Sequence, residues 1–263
     1  MNAQAVPLRR RVAAEGIGTA ALVAVVVGSG IQAARLSHDG GITLLANSLA
    51  TVFGLGVLIA LFGPVSGAHF NPLVSLAAWW QGRRDGQGLP LREVAAYTGA
   101  QITGAIGGAL LANAMFARPL MRWSLQERYA GHLWLAEAVA TAGLILLIFG
   151  LARTGRAHLA PVSVASYIGA AYWFTSSTSF ANPAVTIGRA FTDTYAGIAP
   201  ASVAPFVAAQ LAGAAAGLGL IAVVFGPPAP APAKAPSRDP RQPSDEAGPA
   251  ASAAFAEQGS SRP

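Results

Sequence analysis

Apolar residues run almost unbroken through six stretches of this chain, near 12–31, 42–62, 94–116, 132–152, 159–177 and 201–225. Each is about the 20 residues that a helix needs to cross a bilayer. Two shorter apolar runs follow the second and fifth stretches and begin at Asn71-Pro72 and Asn182-Pro183. Those runs are about ten residues long, too short to span. Asn is a preferred helix N-cap and Pro is at home at the first helical position, so each Asn-Pro pair reads as a helix start. Short helices at membrane depth are tolerated where they line a cavity walled by protein.

The pattern repeats. Ala14-Glu15-Gly16 in the first stretch is echoed by Ala136-Glu137-Ala138 in the fourth. Ala100-Gln101-Ile102-Thr103-Gly104-Ala105 in the third is echoed by Ala209-Gln210-Leu211-Ala212-Gly213-Ala214 in the sixth. With three spans per half, the second half enters the bilayer from the opposite side, an inverted repeat. The expected fold class is an all-α membrane protein with six transmembrane helices and two re-entrant half-helices. Its parts are a basic cytoplasmic N-terminus (1–10), a membrane-spanning domain (11–226) and a tail (227–263). The membrane-spanning domain divides into repeat one, about 11–116, and repeat two, about 132–226. The tail, rich in Pro and Ala, cannot build a core and is expected to be disordered.

Composition agrees with a bilayer setting. The 263 residues are 53% hydrophobic and 11% charged, against about 25% charged in an ordinary soluble domain. The net charge of +6 then reflects Arg-rich loops rather than nucleic-acid binding. Arg9, Arg10, Arg11, Arg83, Arg84, Arg92, Arg153 and Arg156 fall on one side; Arg35, Arg118, Arg122, Arg128 and Arg189 fall on the other. The bias supports the expectation of a multi-pass inner-membrane protein with both termini in the cytoplasm. Trp123 and Trp134 fit interfacial anchors or lipid-facing packing equally. The chain has no cysteine, which excludes disulfides and thiolate metal sites. No metal, cofactor or enzymatic chemistry is expected.

A capping Asn accepts with its side-chain oxygen and keeps an NH2 group to donate elsewhere. Two such donors, each on the positive end of a half-helix, would hydrogen-bond a neutral solute and repel cations. Glu15 and Glu137 lie inside apolar stretches, where a carboxylate is paired or functional by default.

The doubled Asn-Pro loops, Ser66-Gly67-Ala68-His69-Phe70-Asn71-Pro72, the Glu15 and Glu137 pair and the Ala-Gln-x-x-Gly repeats resemble the aquaporin, or major intrinsic protein, family over about 11–225. The resemblance implies a right-handed bundle, a homotetramer with one pore per subunit, and passive conduction of water or small uncharged solutes. It also implies that the pore motifs are Asn71, Pro72, Leu73 and Asn182, Pro183, Ala184. Leu73 departs from the usual Ala and must be absorbed by its neighbours. Glu15 and Glu137 would accept hydrogen bonds from the loops, with a proton relay as the alternative. His69 would support the pore loop.

Gapless counting from the two Asn residues places the outer selectivity filter on Thr51, Ala170, Ser179 and Val185. Val185 stands where the family often has Arg, so the filter is expected to be wide and uncharged. Arg189, one turn further, either reaches the pore mouth or caps loop carbonyls or pairs with Asp193. The pattern also resembles bacterial aquaglyceroporin-like channels associated with arsenic resistance. The expected solutes are glycerol- and urea-like molecules, arsenite or methylated arsenicals, and water. A mainly water-conducting channel and, behind it, a coupled secondary transporter are the alternatives.

Overall fold

Residues 6–83 and 88–226 are described by the computed structural model; the expected tail lies outside them. Helix α1 (Leu8–Leu36) is followed by α2 (Gly40–Ser66), α3 (Pro72–Gly82) and α4 (Leu91–Met115). Then come α5 (Gly131–Arg153), α6 (Ala160–Phe174), α7 (Pro183–Arg189) and α8 (Pro200–Phe225). α1 begins before the expected basic tail ends, so Arg9, Arg10 and Arg11 belong to its first turn. Arg11 is buried there and pairs with Glu93 of α4 at 2.7 Å.

Among the described residues, five helices have the length and composition to cross a membrane. The expected fifth span is shorter than 159–177, because α6 has 15 residues, or about 22 Å at 1.5 Å per residue. A 3₁₀ turn, Ala157–Leu159, leads into it and lengthens the crossing. The chain then leaves the helix at Thr175, well before Asn182. By contrast α2 runs to Ser66 and ends at Gly67, whose φ of 91° only glycine adopts readily.

The two halves match element for element. α1 packs on α4 and α2, and α5 packs on α8 and α6. The α1–α4 contact is made by small residues. A Cβ on Gly104 would strike the carbonyl of Gly16, and one on Gly108 that of Ala20. In the second half Gly213 and Gly217 meet the carbonyls of Ala138 and Ala142 in the same way. Close backbone approach of this kind replaces the hydrophobic drive that lipid removes. Gly107 and Gly219 have open space beside them and no such role.

Both ends of the described chain lie at one face, where Arg153 donates to the Gly226 carbonyl at 2.7 Å; this is the terminal face. The connection between the halves, 116–130, lies at the other, the connection face. It is stitched to the loop after α7 by Ser124 N–H to Ala190 O (3.1 Å) and Ala199 N–H to Gln126 O (2.7 Å).

Candidate pore and its two half-helices

Each half-helix starts as its sequence directs. Asn71 caps α3, its Oδ1 accepting from Leu73 N–H at 2.9 Å. Asn182 caps α7, accepting from Ala184 N–H (3.0 Å) and Val185 N–H (3.2 Å). Pro72 and Pro183 take the first helical positions. The amide groups then reach across. Asn71 Nδ2 donates to the carbonyl of Ala181 at 2.8 Å, and Asn182 Nδ2 donates to that of Phe70 at 2.7 Å. An amide NH2 carries two hydrogens, so each Asn keeps a second hydrogen beyond the one given to the facing loop. Leu73 points away from this meeting point. It is buried with Ile145, Ala214 and Ile221, side chains of α5 and α8.

The loops ahead of the caps hang on the two carboxylates. Glu15 accepts from Ser66 Oγ (2.6 Å), His69 N–H (3.0 Å), Phe70 N–H (2.7 Å) and Gln101 Nε2 (2.8 Å). Glu137 accepts from Ser177 Oγ (2.6 Å), Phe180 N–H (2.8 Å), Ala181 N–H (2.8 Å) and Gln210 Nε2 (2.6 Å). Both are fully buried, and four donors each are what keep a carboxylate affordable there. Gln101 also reaches Ser75 Oγ (3.2 Å), and Gln210 reaches Thr186 Oγ1 (2.9 Å). His69 Nδ1 lies 3.0 Å from Ser75 Oγ.

A trans peptide points its N–H and C=O in opposite directions. With the N–H groups of His69, Phe70, Phe180 and Ala181 turned to the carboxylates, the carbonyls of Ala68, His69, Ser179 and Phe180 face the other way. None of these four accepts a hydrogen bond from another described residue. The backbone has positive φ at Ala68, Phe70, Ser179 and Ala181, a cost borne where the scaffold fixes it.

The carbonyls turn toward a cavity of about 110 Å³, room for several water-sized molecules. Asn71, Asn182, His69, Val74 and Val185 line it together with faces of α1, α2, α5 and α6. Neither a carboxylate nor an arginine is among its lining residues.

Three expected filter residues, Thr51, Ser179 and Val185, line the cavity. Ala170 does not: it is exposed. Lining residues on α6 recur every fourth position, at Ala160, Val164, Ile168 and Tyr172, and a residue two from such a stripe lies on the opposite face at 100° per residue. Tyr172 therefore takes the place that counting gave to Ala170. Its hydroxyl lies 3.2 Å from Thr51 Oγ1. Thr51 already donates to Asn47 O at 2.8 Å, so Tyr172 is the donor between them. Ser179 Oγ is buried with no protein partner.

Of the three readings open for Arg189, the structure shows the capping of a loop carbonyl. Its guanidinium does not line the cavity. It is buried, donates through Nε to Ala196 O, and stacks 3.4 Å from the centre of the Phe180 ring. Asp193 pairs instead with Arg122, at 3.3 Å. Sequence reasoning did not single out Arg128, which lies 5.0 Å from the same ring. Burial pushes its guanidinium below the ordinary arginine value, and the charge of Glu137 opposes this. Tyr172 carried a readable signal in its four-residue spacing from Ile168 and Val164. Arg128 carried none.

The Major intrinsic protein family profile matches residues 2–179. The chain belongs to that family. Its members are membrane channels, not enzymes. The chain is 47% identical over 223 residues to the aquaglyceroporin AqpS of Rhizobium meliloti (strain 1021), covering 85% of this chain and 93% of that protein. It is 33% identical over 199 residues to aquaporin NIP1-1 of Zea mays, covering 70% and 65%. The fold superimposes on the X-ray structure of the aquaglyceroporin from Plasmodium falciparum with a TM-score of 0.62 at 19% identity, covering 84% of this chain and 98% of that one.

Proposed function

We propose that this major intrinsic protein is a passive conduit for small uncharged solutes of the glycerol and urea class, with water, arsenite and methylated arsenicals as further candidates. The observation that carries the reading is the cavity between the two caps. It offers Asn71 and Asn182 as donors and four loop carbonyls as acceptors, on an otherwise apolar wall. A polyol or urea needs both kinds of partner when it sheds water, and an ion would find no counter-charge in the lining.

The filter in this reading is Thr51, Tyr172, Ser179 and Val185, without the arginine that narrows many relatives. A mainly water-conducting channel is the second reading, and it is favoured by Tyr172, a phenol where a methyl group was expected. The similarity to AqpS, named an aquaglyceroporin, supports the first. The connection face is taken as the outer face, with both termini cytoplasmic, on the arginine bias read from the sequence. The apolar stripe of Leu45, Leu49, Phe53 and Val57 on α2 is exposed; lipid and neighbouring copies in a homotetramer would cover such faces.

Glycerol, urea and arsenite uptake into proteoliposomes, set against water permeability, tests the proposal. Wild type passes glycerol well above empty vesicles, and Val185→Arg reduces glycerol more than water. Water flux with no glycerol flux above background would select the second reading.

A further inference from the structure

Val185 leaves the lining without an arginine, yet two guanidinium groups stand in the wall behind it. Arg189 is 3% exposed, and its guanidinium carbon lies 3.4 Å from the centre of the Phe180 ring. That of Arg128 lies 5.0 Å from the same ring. Phe180 belongs to the loop that lines the cavity. Among the described residues, every acceptor of the two side chains is neutral. Arg189 Nε donates to Ala196 O. Arg128 donates to Gly197 O (3.1 Å), Ser177 O (3.3 Å) and Gln126 Oε1 (3.4 Å). Neither forms an ion pair among the described residues. Glu137, the buried carboxylate that accepts from the same loop, is one charge against two cations and already holds four donors.

The fold does not demand this charge. Arg189 stands seven residues beyond Asn182; the same count from Asn71 reaches Ala78. The first half closes around its own half-helix without a cation there.

We propose that Arg128 and Arg189 are the residues that exclude cations at the connection-face mouth, acting through the wall rather than from the lining. An uncompensated charge in a poorly polarisable wall projects its field into the adjacent lumen. A neutral solute feels little of it. The mouth can then be free of a side-chain cation and still refuse protons and alkali ions. The inference rests on the pore reading above.

The test measures proton and potassium entry into proteoliposomes under an imposed membrane potential, with glycerol shrinkage recorded on the same preparations. Arg128→Gln and Arg189→Gln are expected to keep glycerol flux within about twofold while cation entry rises about tenfold or more. Arg189→Lys, which keeps the charge, is expected to stay cation-tight. Gln126→Glu neutralises Arg128 from an exposed position without removing a packed side chain, and should raise cation entry several-fold. Cation entry unchanged in the Gln and Glu variants, with glycerol flux intact, would overturn the proposal and leave exclusion to the half-helix ends alone. So would a lysine variant that leaks as much as its glutamine counterpart. Should the two Gln variants fail to fold, Gln126→Glu alone decides. Absence of glycerol flux in wild type would instead count against the pore itself.

Discussion

Asn71 and Asn182 hold each other's loops in place. Each donates to the carbonyl of the residue just before the other, at 2.8 and 2.7 Å. The same side chains cap their own half-helices. One residue type therefore ends a loop, starts a helix, joins the two repeats and still presents a hydrogen to the cavity. Replacing Asn71 by Ala removes the cap and the cross-link together, and leaves the Ala181 carbonyl without its partner. The expected loss is about 2–4 kcal/mol, from a cap near 1 and a buried unmatched group of 1–3. A lowered unfolding temperature in detergent checks it.

Glu137 separates charge from shape. Glu137→Ala abandons four buried donors, and little folded protein should be recovered, since each unmet donor costs about 1–3 kcal/mol. Glu137→Gln keeps the volume but sets an NH2 group against groups that themselves donate. It should fold poorly as well, though better than Ala. Size-exclusion yield of the two variants, compared with Glu15→Gln, reads the order.

Tyr172 and Thr51 form a polar pair on the cavity wall. Tyr172→Phe removes one hydroxyl and should change glycerol flux by less than about threefold, because the donated hydrogen goes to Thr51 and not to the lumen. Tyr172→Ala removes the ring, and the ratio of glycerol to water permeability should rise. Ala170→Tyr, on the exposed side of α6, should alter neither. Stopped-flow light scattering on proteoliposomes gives all three.

Gly108 packs under the carbonyl of Ala20 with no room for a Cβ. Gly108→Val should force α1 and α4 apart and cost more than the 1–3 kcal/mol typical of overpacking in a well-filled core. Gly107→Val, one position away with open space beside it, is expected to be nearly silent. Thermal unfolding of the pair tests whether close helix approach explains these glycines.

Arg122 pairs with Asp193, but its side chain is 62% exposed. Surface pairs of this kind contribute about 0–1 kcal/mol. Arg122→Ala should leave stability, solute flux and cation entry close to wild type, whereas glutamine at Arg128 or Arg189 is expected to raise cation entry.

The repeat, the half-helices and the buried carboxylates were legible because each rests on a local rule. Asn-Pro starts a helix, a carboxylate in an apolar run needs donors, and small residues mark close packing. Ala170 misled because counting back from Asn182 assumes a fixed path between helix and cap. α6 stops at Phe174 and the path to Asn182 is irregular, so the distance in sequence no longer tracks the helix face. The four-residue stripe on α6 would have corrected it. Arg189 was placed on the right helix, but its direction depends on Phe180 and on the Ala196 carbonyl, which tertiary packing alone brings beside it. Leu73 needs neighbours that absorb it, and Ile145, Ala214 and Ile221 of α5 and α8 do so; which side chains those are is set by tertiary packing.

The central claim is that solute moves through the cavity between the paired asparagines. Val74 lines that cavity from α3, so Val74→Trp should fill it while leaving the caps and both carboxylates untouched. Glycerol-driven shrinkage of proteoliposomes, measured for wild type and Val74→Trp at equal protein content, is the direct test. Rapid shrinkage is expected with wild type, and a rate at the level of empty vesicles with the tryptophan variant. Equal glycerol flux through both would contradict it.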